Sequence, residues 1–464
     1  MASSHTPARS VASAADWLER GHHYRAAQDM AAAAGAFAAA EALAPNDLAV
    51  AHACAQLAYE TWQPSAARFA KVSQLVPHQL GIKLQWARAL AGEGQGDAAR
   101  AMLDELLERQ PDWTAGHQLL TTLRVTAGED TDAHRSFAVA CAVQPQNLPL
   151  RLAWFHSLSM AREWDAAQRV IADGTRLFGA QRSLTLGRIF IACESETSST
   201  DPEIFDDVAE IRDPGLDLCR VRFSLRTGDP AGAARIAEPY CGGPVARTFW
   251  PYLSLAWRLL GDERAAWLDA PASFVQTADI PLSDAELSAL AATLRALHTM
   301  RAPYLEQSVR GGSQTDRHLF FNPDPIIQQL RARVTTAVAA YIANLPPPDA
   351  EHPLLGPPRG GVRYSGSWSV RLKAAGYHRN HTHNLGWISS ALHISVPEQK
   401  PGEPANAGWL SFGCPPPELK LALKPYQTVR PKPARLVLFP STMWHGTSPF
   451  SEGERLTVAF DVAA

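Results

Sequence analysis

Apolar and small residues recur at helical spacing through the first half of the chain, and four prolines interrupt them at nearly constant intervals. Pro45, Pro77, Pro111 and Pro145 are separated by 32, 34 and 34 residues. Each proline follows an apolar run and precedes a polar residue, a position where proline ends one helix shortly before the next begins. The pattern predicts a series of short helices that repeats in pairs.

A period of about 34 residues is that of tetratricopeptide repeats, in which each repeat is a pair of antiparallel helices. Beyond residue 150 the period blurs, but turn signals that open a second helix continue at residues 162–167, 228–234 and 261–266. We therefore predict a helical repeat domain over residues 15–268, preceded by a flexible N-terminus over residues 1–14. Such arrays present a concave surface that often binds a peptide, a partner or the neighbouring domain, and the alternative is a stabilising spacer that binds nothing.

From residue 269 the pattern changes. A helical lead-in over residues 269–355 contains two predicted helices, at 284–298 and 325–342, with a glycine-containing polar loop at 306–315 between them. From residue 356 to 464 short runs rich in β-branched and aromatic residues alternate with Gly, Pro and Asn, which is typical of an antiparallel sandwich or barrel. These runs lie at residues 368–372, 388–396, 409–412, 435–439 and 456–460.

The composition of the chain argues against several classes of function. A chain of 464 residues is long enough for two or three domains, and its net charge of -3 gives no basic surface for nucleic acid or an anionic membrane. Six scattered cysteines without a CxxC pair argue against a zinc ribbon or a disulfide framework and suit a reducing compartment. No signal peptide is apparent, so we expect a cytoplasmic protein.

The candidate chemistry lies in the last ninety or so residues. His381 and His383 are two residues apart between predicted strands, His445 follows a later strand, and Arg455 opens the last strand. A jelly-roll would bring these residues together at its rim. Imidazole suits Fe(II), which favours facial ligands with open positions, and a buried arginine can hold a carboxylate bidentately. We therefore predict a metal site beside an acid-binding pocket.

Several stretches resemble a known family. Residues 268–464 resemble the 2-oxoglutarate/Fe(II)-dependent oxygenases that follow tetratricopeptide repeats in many bacterial proteins, with relatives among prolyl and aspartyl/asparaginyl hydroxylases. The matching stretches are residues 307–315, 376–383, 408–412, 438–447 and 454–462. The resemblance implies a multi-domain α + β protein. In it, an N-terminal α-solenoid of tetratricopeptide-like helix pairs precedes a double-stranded β-helix (jelly-roll) oxygenase domain over residues 269–464.

The resemblance also implies site residues. His381 and His445 would be iron ligands, and Arg455 would bind the far carboxylate of 2-oxoglutarate. Where the widespread pattern is His-x-Asp, this chain has His383, which leaves two roles open: a third ligand, as we predict, or a supporting group. His393 and Ser389 are further candidates for co-substrate binding. Arg310 and Gln314 are candidates for substrate binding, and no catalytic residue beyond the metal site is predicted.

The implied activity is that of a dioxygenase that uses Fe(II), 2-oxoglutarate and O2, with ascorbate as an additional reductant. We expect it to hydroxylate a protein or peptide side chain that the repeat domain recruits. Two alternatives remain open at this point: a small-molecule, biosynthetic hydroxylase of the same mechanism, and a non-catalytic repeat adaptor with a decayed oxygenase domain. Neither nucleic acid nor a membrane is an expected partner, and the sequence leaves the oligomeric state open.

Overall fold

The chain falls into two compact units, which are described here from a computed structural model. The described residues are 12–195, 201–305 and 307–464, so most of the predicted flexible N-terminus, residues 1–11, lies outside them. One unit extends to Leu103 and includes residues 321–323, and the other comprises residues 104–320 and 324–464. Predicted metal ligands and Arg455 all belong to the second unit.

Helices of the first unit follow each other in antiparallel pairs that pack as neighbours. Side chains cap their first turns: Ser13 accepts a hydrogen bond from the Asp16 backbone, and Asp29 and Asp47 cap the next two helices. These caps satisfy backbone N–H groups that have no partner inside a helix. The helices are α1 (Ala14–Ala26), α2 (Met30–Leu43), α3 (Leu48–Glu60), α4 (Ala66–Leu75) and α5 (Leu80–Gly92), and α6 (Gly96–Arg109) continues into the second unit.

The helical array continues in the second unit. Pro111 and Pro145, like Pro45 and Pro77 before them, occupy the turns between successive helices, which confirms the predicted repeat. None of the helices in the described ranges combines the length and apolar character needed to cross a membrane. The helices are α7 (Thr114–Thr126), α8 (Arg135–Val143), α9 (Leu148–Ala161), α10 (Trp164–Phe178), α11 (Arg182–Glu194), α12 (Pro214–Arg226), α13 (Pro230–Ala237), α14 (Ala246–Leu260), α15 (Arg264–Asp269) and α16 (Pro271–Phe274).

Two antiparallel sheets follow, as the predicted jelly-roll requires. The strands are β1 (Gln276–Asp279), β2 (Val309–Gln314), β3 (Tyr364–His378), β4 (Ile388–Ser395), β5 (Leu410–Phe412), β6 (Gln427–Val429), β7 (Arg435–Pro440), β8 (His445–Thr447) and β9 (Arg455–Val462). The larger sheet has the strand order β1-β7-β4-β9-β3-β2 and the smaller β6-β5-β8. Helix α17 (Asp284–Leu297) follows β1 in the chain, and α18 (Pro325–Ala343) follows β2. Helical repeats followed by this sheet domain confirm the predicted fold class.

One local prediction is wrong. Of the predicted loop 306–315, Glu306 lies outside the described residues, but residues 309–314 form β2, which pairs with β3 across a bulge between Arg310 and Gly312. A side chain on Gly312 would clash with the backbone of Arg371, so glycine here permits close strand approach rather than a turn. The predicted helical lead-in thus contributes both β1 and β2 to the large sheet, and the domain limits at 268 and 355 stay predictions.

Repeat helices of the second unit share a hydrophobic core with loops of the sheet domain. Trp444 packs among buried residues of α12–α14, with its ring 5.4 Å from that of Tyr252. Its indole Nε1 donates a hydrogen bond of 2.9 Å to the Pro251 carbonyl. Pro251 lies inside α14 and has no backbone N–H, and its carbonyl accepts the indole N–H. The residue before His445 is therefore anchored to the helical array.

A buried carboxylate makes a second connection between the same regions. Glu418 is 1% exposed and forms ion pairs with Arg162, at the end of α9, and with Arg379, two residues before His381. A buried carboxylate is stable only when it is paired. The loops that carry His381 and His445 are therefore each attached to the helical array.

We expect the substitution Trp444→Ala to destabilise the protein by about 3–5 kcal/mol, because it empties a large buried volume and removes the hydrogen bond to Pro251. The free energy of unfolding from urea titrations followed by circular dichroism measures the effect. Val139→Ala, at a side chain that is 63% exposed, is the control and should change it by less than about 0.5 kcal/mol. A loss at Trp444 no larger than the control would contradict the shared core.

Candidate metal centre

Three histidines meet where β8 begins. The backbones of His381 and His445 form an isolated antiparallel bridge, with N–H to O=C distances of 2.9 and 3.0 Å. The ring centroid of His381 lies 4.2 Å from that of His445 and 5.0 Å from that of His383. The ring nitrogens that the three residues offer all lie within 4.8 Å of one another. Backbone pairing therefore places three imidazoles where one ion could bind them all.

The tautomer of each ring follows from its hydrogen bond. Nδ1 of His381 lies 2.7 Å from the Arg379 carbonyl, and Nδ1 of His445 lies 3.0 Å from the Met443 carbonyl. Nδ1 of His383 faces the Asp461 carboxylate at 2.7 and 2.8 Å. Carbonyl and carboxylate oxygens only accept, so each Nδ1 carries a proton and Nε2 is the nitrogen left to bind a metal. This is the arrangement in which metal-binding histidines are oriented by outer partners.

Burial keeps the rings of His381 and His445 in the neutral form that binds metals. It lowers the pKa of His381 to about 3, with a further contribution from His383. The pKa of His445 is lowered well below its ordinary value, also chiefly by burial. A metal displaces no proton from rings that are already neutral, so binding at neutral pH carries no protonation penalty. Three imidazoles whose ring nitrogens lie this close together fit Fe(II).

The three histidines line a cavity of about 380 Å³ together with Arg455 and Gln314. Strand β9 supplies one wall through alternate residues, because side chains two apart on a strand share a face. These residues are Arg455, Thr457, Ala459 and Asp461. β9 thus presents a cation at one end of the cavity wall and the partner of His383 at the other.

Arg455 is a buried cation without an acidic partner. Its side chain is 2% exposed, its Nε has no hydrogen bond, and no carboxylate in the described residues forms an ion pair with it. Burial lowers its pKa to about 10, which still leaves the guanidinium charged at neutral pH. An unpaired buried charge is costly, so the cavity is suited to a ligand that brings a carboxylate, such as 2-oxoglutarate.

Three predicted site residues do not line the cavity. His393 pairs with Thr457 across the strands, so its side chain lies on the cavity face of the sheet, but it is fully buried and neither ring nitrogen has a hydrogen bond. Burial, reinforced by the charge of Arg455, lowers its pKa well below the ordinary value. Ser389 hydrogen-bonds to Asp461 at 2.6 Å. Arg310 donates to the backbone carbonyls of Gln307 and Val309.

Sequence reasoning missed other residues of the site. His378 is not among the predicted site residues but lines the cavity. Its ring lies 5.9 Å from that of His381, and its Nδ1 is 3.1 Å from Ser308 Oγ. Asp461 was part of a matching stretch but was assigned no role. The alternation along β9 could have found it, because a carboxylate two residues after Ala459 continues the face that begins at Arg455.

Comparisons with known proteins agree with this geometry. Residues 366–461 match the family described as "Putative 2OG-Fe(II) oxygenase", and residues 65–123 match the tetratricopeptide repeat family. Among curated proteins none matches the sequence. Most of the sheet domain therefore matches a 2OG-Fe(II) oxygenase family, and a match to tetratricopeptide repeats precedes it in the same chain.

Solved structures that are similar to parts of the chain include tetratricopeptide repeat proteins and prolyl hydroxylases. A tetratricopeptide repeat protein from Parabacteroides merdae is 15% identical over 52% of this chain and 98% of its own, with a TM-score of 0.34. A prolyl-4-hydroxylase from Pseudomonas putida is 16% identical over 41% and 94%, with a TM-score of 0.26. A prolyl hydroxylase from Trichoplax adhaerens, solved with a hypoxia inducible factor peptide fragment, is 12% identical over 45% and 92%, with a TM-score of 0.28.

The depressed pKa of His381 predicts how the stability of the metal-free protein depends on pH. An unfolded chain protonates this ring near pH 6.5, whereas the folded site resists protonation down to about pH 3, so stability decreases as the pH falls through this interval. The substitution His381→Gln removes that contribution. Between pH 7 and pH 5 the variant should lose about 1–2 kcal/mol less stability than the wild type.

Urea denaturation in the presence of a chelator, at pH 7 and at pH 5, measures this difference. The control is His23→Gln, at an exposed position on α1, which should follow the wild-type dependence. If His381→Gln loses as much stability on acidification as the wild type, His381 is not held neutral by burial.

Proposed function

We propose that this protein is a 2-oxoglutarate- and Fe(II)-dependent dioxygenase that hydroxylates a side chain of a protein or peptide, and that its repeat domain recruits that substrate. The observation that carries the proposal is the unpaired, buried Arg455 on the wall of the same cavity as three histidines. The histidines can hold a metal, and the guanidinium can hold the far carboxylate of the co-substrate. Either feature alone would be consistent with several other functions.

Different residues would bind the metal and the co-substrate of this reaction. His381, His383 and His445 would hold Fe(II) through Nε2, and Arg455 would anchor 2-oxoglutarate through a bidentate contact. His393 shares the cavity face of the sheet but does not line the cavity, so its contact with the co-substrate stays a prediction. When bound, Fe(II) with 2-oxoglutarate and O2 supplies the chemistry that converts C–H to C–OH, with succinate and carbon dioxide as products. Ascorbate would keep the metal reduced.

Apolar side chains complete the cavity and keep water from the reacting groups. Trp368, Leu410 and Phe439 line it alongside the histidines, and the Phe439 ring lies 4.6 Å from that of His445. An apolar wall strengthens the electrostatic attraction between Arg455 and an anion, because the local dielectric constant is low. The chain's contribution to the reaction is therefore orientation of the co-substrate and exclusion of solvent.

The size and rim of the cavity favour a side chain of a larger molecule as substrate. Its volume of about 380 Å³ is near the lower end of the range for ligand pockets, about 300–1,000 Å³, and the co-substrate must share it. Leu385 lines the cavity and is nevertheless 80% exposed. Asn384 and Gln307, also on its wall, are uncharged. Such a rim suits a peptide that lies outside and inserts one side chain.

The attachment of the repeat helices to the site supports recruitment. Trp444 and Glu418 join α9 and α12–α14 to the loops that carry the histidines, so a polypeptide bound to these helices would be held at a fixed distance from the metal. Fixed geometry raises the effective concentration of the second contact. Intact histidines and Arg455 argue against a decayed, non-catalytic domain.

Purified protein with Fe(II), 2-oxoglutarate and O2 should form succinate slowly without its substrate, and His445→Ala should abolish this activity. Arg455→Ala should raise the KM for 2-oxoglutarate roughly 30-fold or more, because a buried charge contact is lost. Arg371→Ala is the control, since Arg371 pairs with Glu454 and does not line the cavity. Equal succinate formation by wild type and His445→Ala would disprove the enzyme proposal.

The substrate class can be determined by incubating cell extract with 2-oxoglutarate and either the wild type or His445→Ala. We expect mass spectrometry to find a gain of one oxygen atom in a polypeptide with the wild type alone. A peptide that retains only the residues beside the modified position should have a lower kcat/KM than the whole substrate, because it loses the contacts with the repeats. Oxygen gained only by small molecules would instead identify a biosynthetic hydroxylase.

A further inference from the structure

A carboxylate stands directly behind one of the three histidines. We propose that Asp461 is a positioning residue. Its carboxylate fixes His383 as a metal ligand and supplies, from outside the ligand set, the negative charge that the His-x-Asp pattern would carry at position 383. The inference rests on the proposed metal site and deepens it, because it assigns His383 the role of ligand rather than support.

Geometry gives the carboxylate a defined effect on the ring. Both oxygens of Asp461 lie within hydrogen-bonding distance of His383 Nδ1, at 2.7 and 2.8 Å. An acceptor on this side requires the proton on Nδ1, so the lone pair of Nε2 is left for the metal. His381 and His445 have only a backbone carbonyl at the corresponding position. His383 is the one member of the group whose outer partner is charged.

Asp461 is itself held in place. Its side chain is mostly buried, at 7% residue exposure, and accepts a hydrogen bond of 2.6 Å from Ser389, which in turn lies 2.8 Å from the Ser441 hydroxyl. A β-carbon on Gly386 would lie 2.5 Å from the Ser441 oxygen and 3.1 Å from Asp461. The chain is therefore packed closely around this carboxylate, and Ser389 acts on the site through Asp461.

Charge balance explains why the carboxylate matters. Three neutral imidazoles add no charge, whereas a His-x-Asp site would place one negative charge on the metal. With Asp461 hydrogen-bonded to His383, the site has the same formal charge, but the negative charge lies one imidazole ring farther from the metal. Among the described residues no lysine or arginine pairs with Asp461, and its only ionic partner is His383. Partners of this kind change metal affinity by about 10–100-fold when they are replaced.

The test is the affinity of the full-length protein for Co(II) under anaerobic conditions, measured by calorimetry and by the visible absorption of the bound ion. Asp461→Asn should weaken binding about 10–100-fold and alter the Co(II) spectrum, whereas Asp279→Asn, at a surface ion pair with Lys432, should leave both unchanged. Circular dichroism verifies that each variant is folded. If Asp461→Asn does not fold, Ser389→Ala replaces it and should weaken Co(II) binding in the same direction.

The same substitution in a protein with a different residue at position 383 distinguishes positioning of His383 from a general effect of charge or folding. In a His383→Asp protein, Asp461 would face another carboxylate, and adding Asp461→Asn should then strengthen Co(II) binding. The effect of one substitution thus reverses its sign according to the residue at position 383. Weakening in both backgrounds, or unchanged affinity of Asp461→Asn, would overturn the inference and leave the proposed function intact. Absence of any Co(II) binding by the wild type would overturn both.

Discussion

The site depends on the position of β9 in the middle of the large sheet. This strand pairs with β3 on one side and β4 on the other, so its inward face is fixed along its whole length. A slip of one residue would turn Arg455 and Asp461 away from the cavity and put Leu456 and Val462 in their places. One strand therefore sets both the anion-binding end of the cavity and the partner of a candidate metal ligand.

Burial of charge imposes the second constraint. Glu418 pairs with two arginines, and Asp461 faces the ring N–H of His383, so the protein satisfies these carboxylates itself. Arg455 differs, because it lies on the cavity wall without a carboxylate partner among the described residues. The proposed co-substrate would supply that carboxylate.

Repeat helices of the second unit share a hydrophobic core with the sheet domain and are not merely linked to it by the chain. The side chain of Trp444 packs between α12–α14 while the next residue, His445, enters the metal site. Ion pairs of Glu418 attach the segment before His381 in the same way. A partner that binds these helices would therefore bind elements that contact the loops next to the histidines.

The sequence by itself determined the helix pairs, the strands with clear alternation, and the group formed by His381, His445 and Arg455. Periodicity, turn residues and ligand types are local properties, so one chain suffices to recognise them. Only the tertiary structure identified β2 within a glycine-containing segment, the position of His378 on the cavity wall, the burial of Arg455, and Asp461 as the partner of His383. Those features depend on which distant residues share a strand face or a core. Alternation along β9 places Asp461 on the inward face, but no local pattern predicts its contact with His383, which lies 78 residues away.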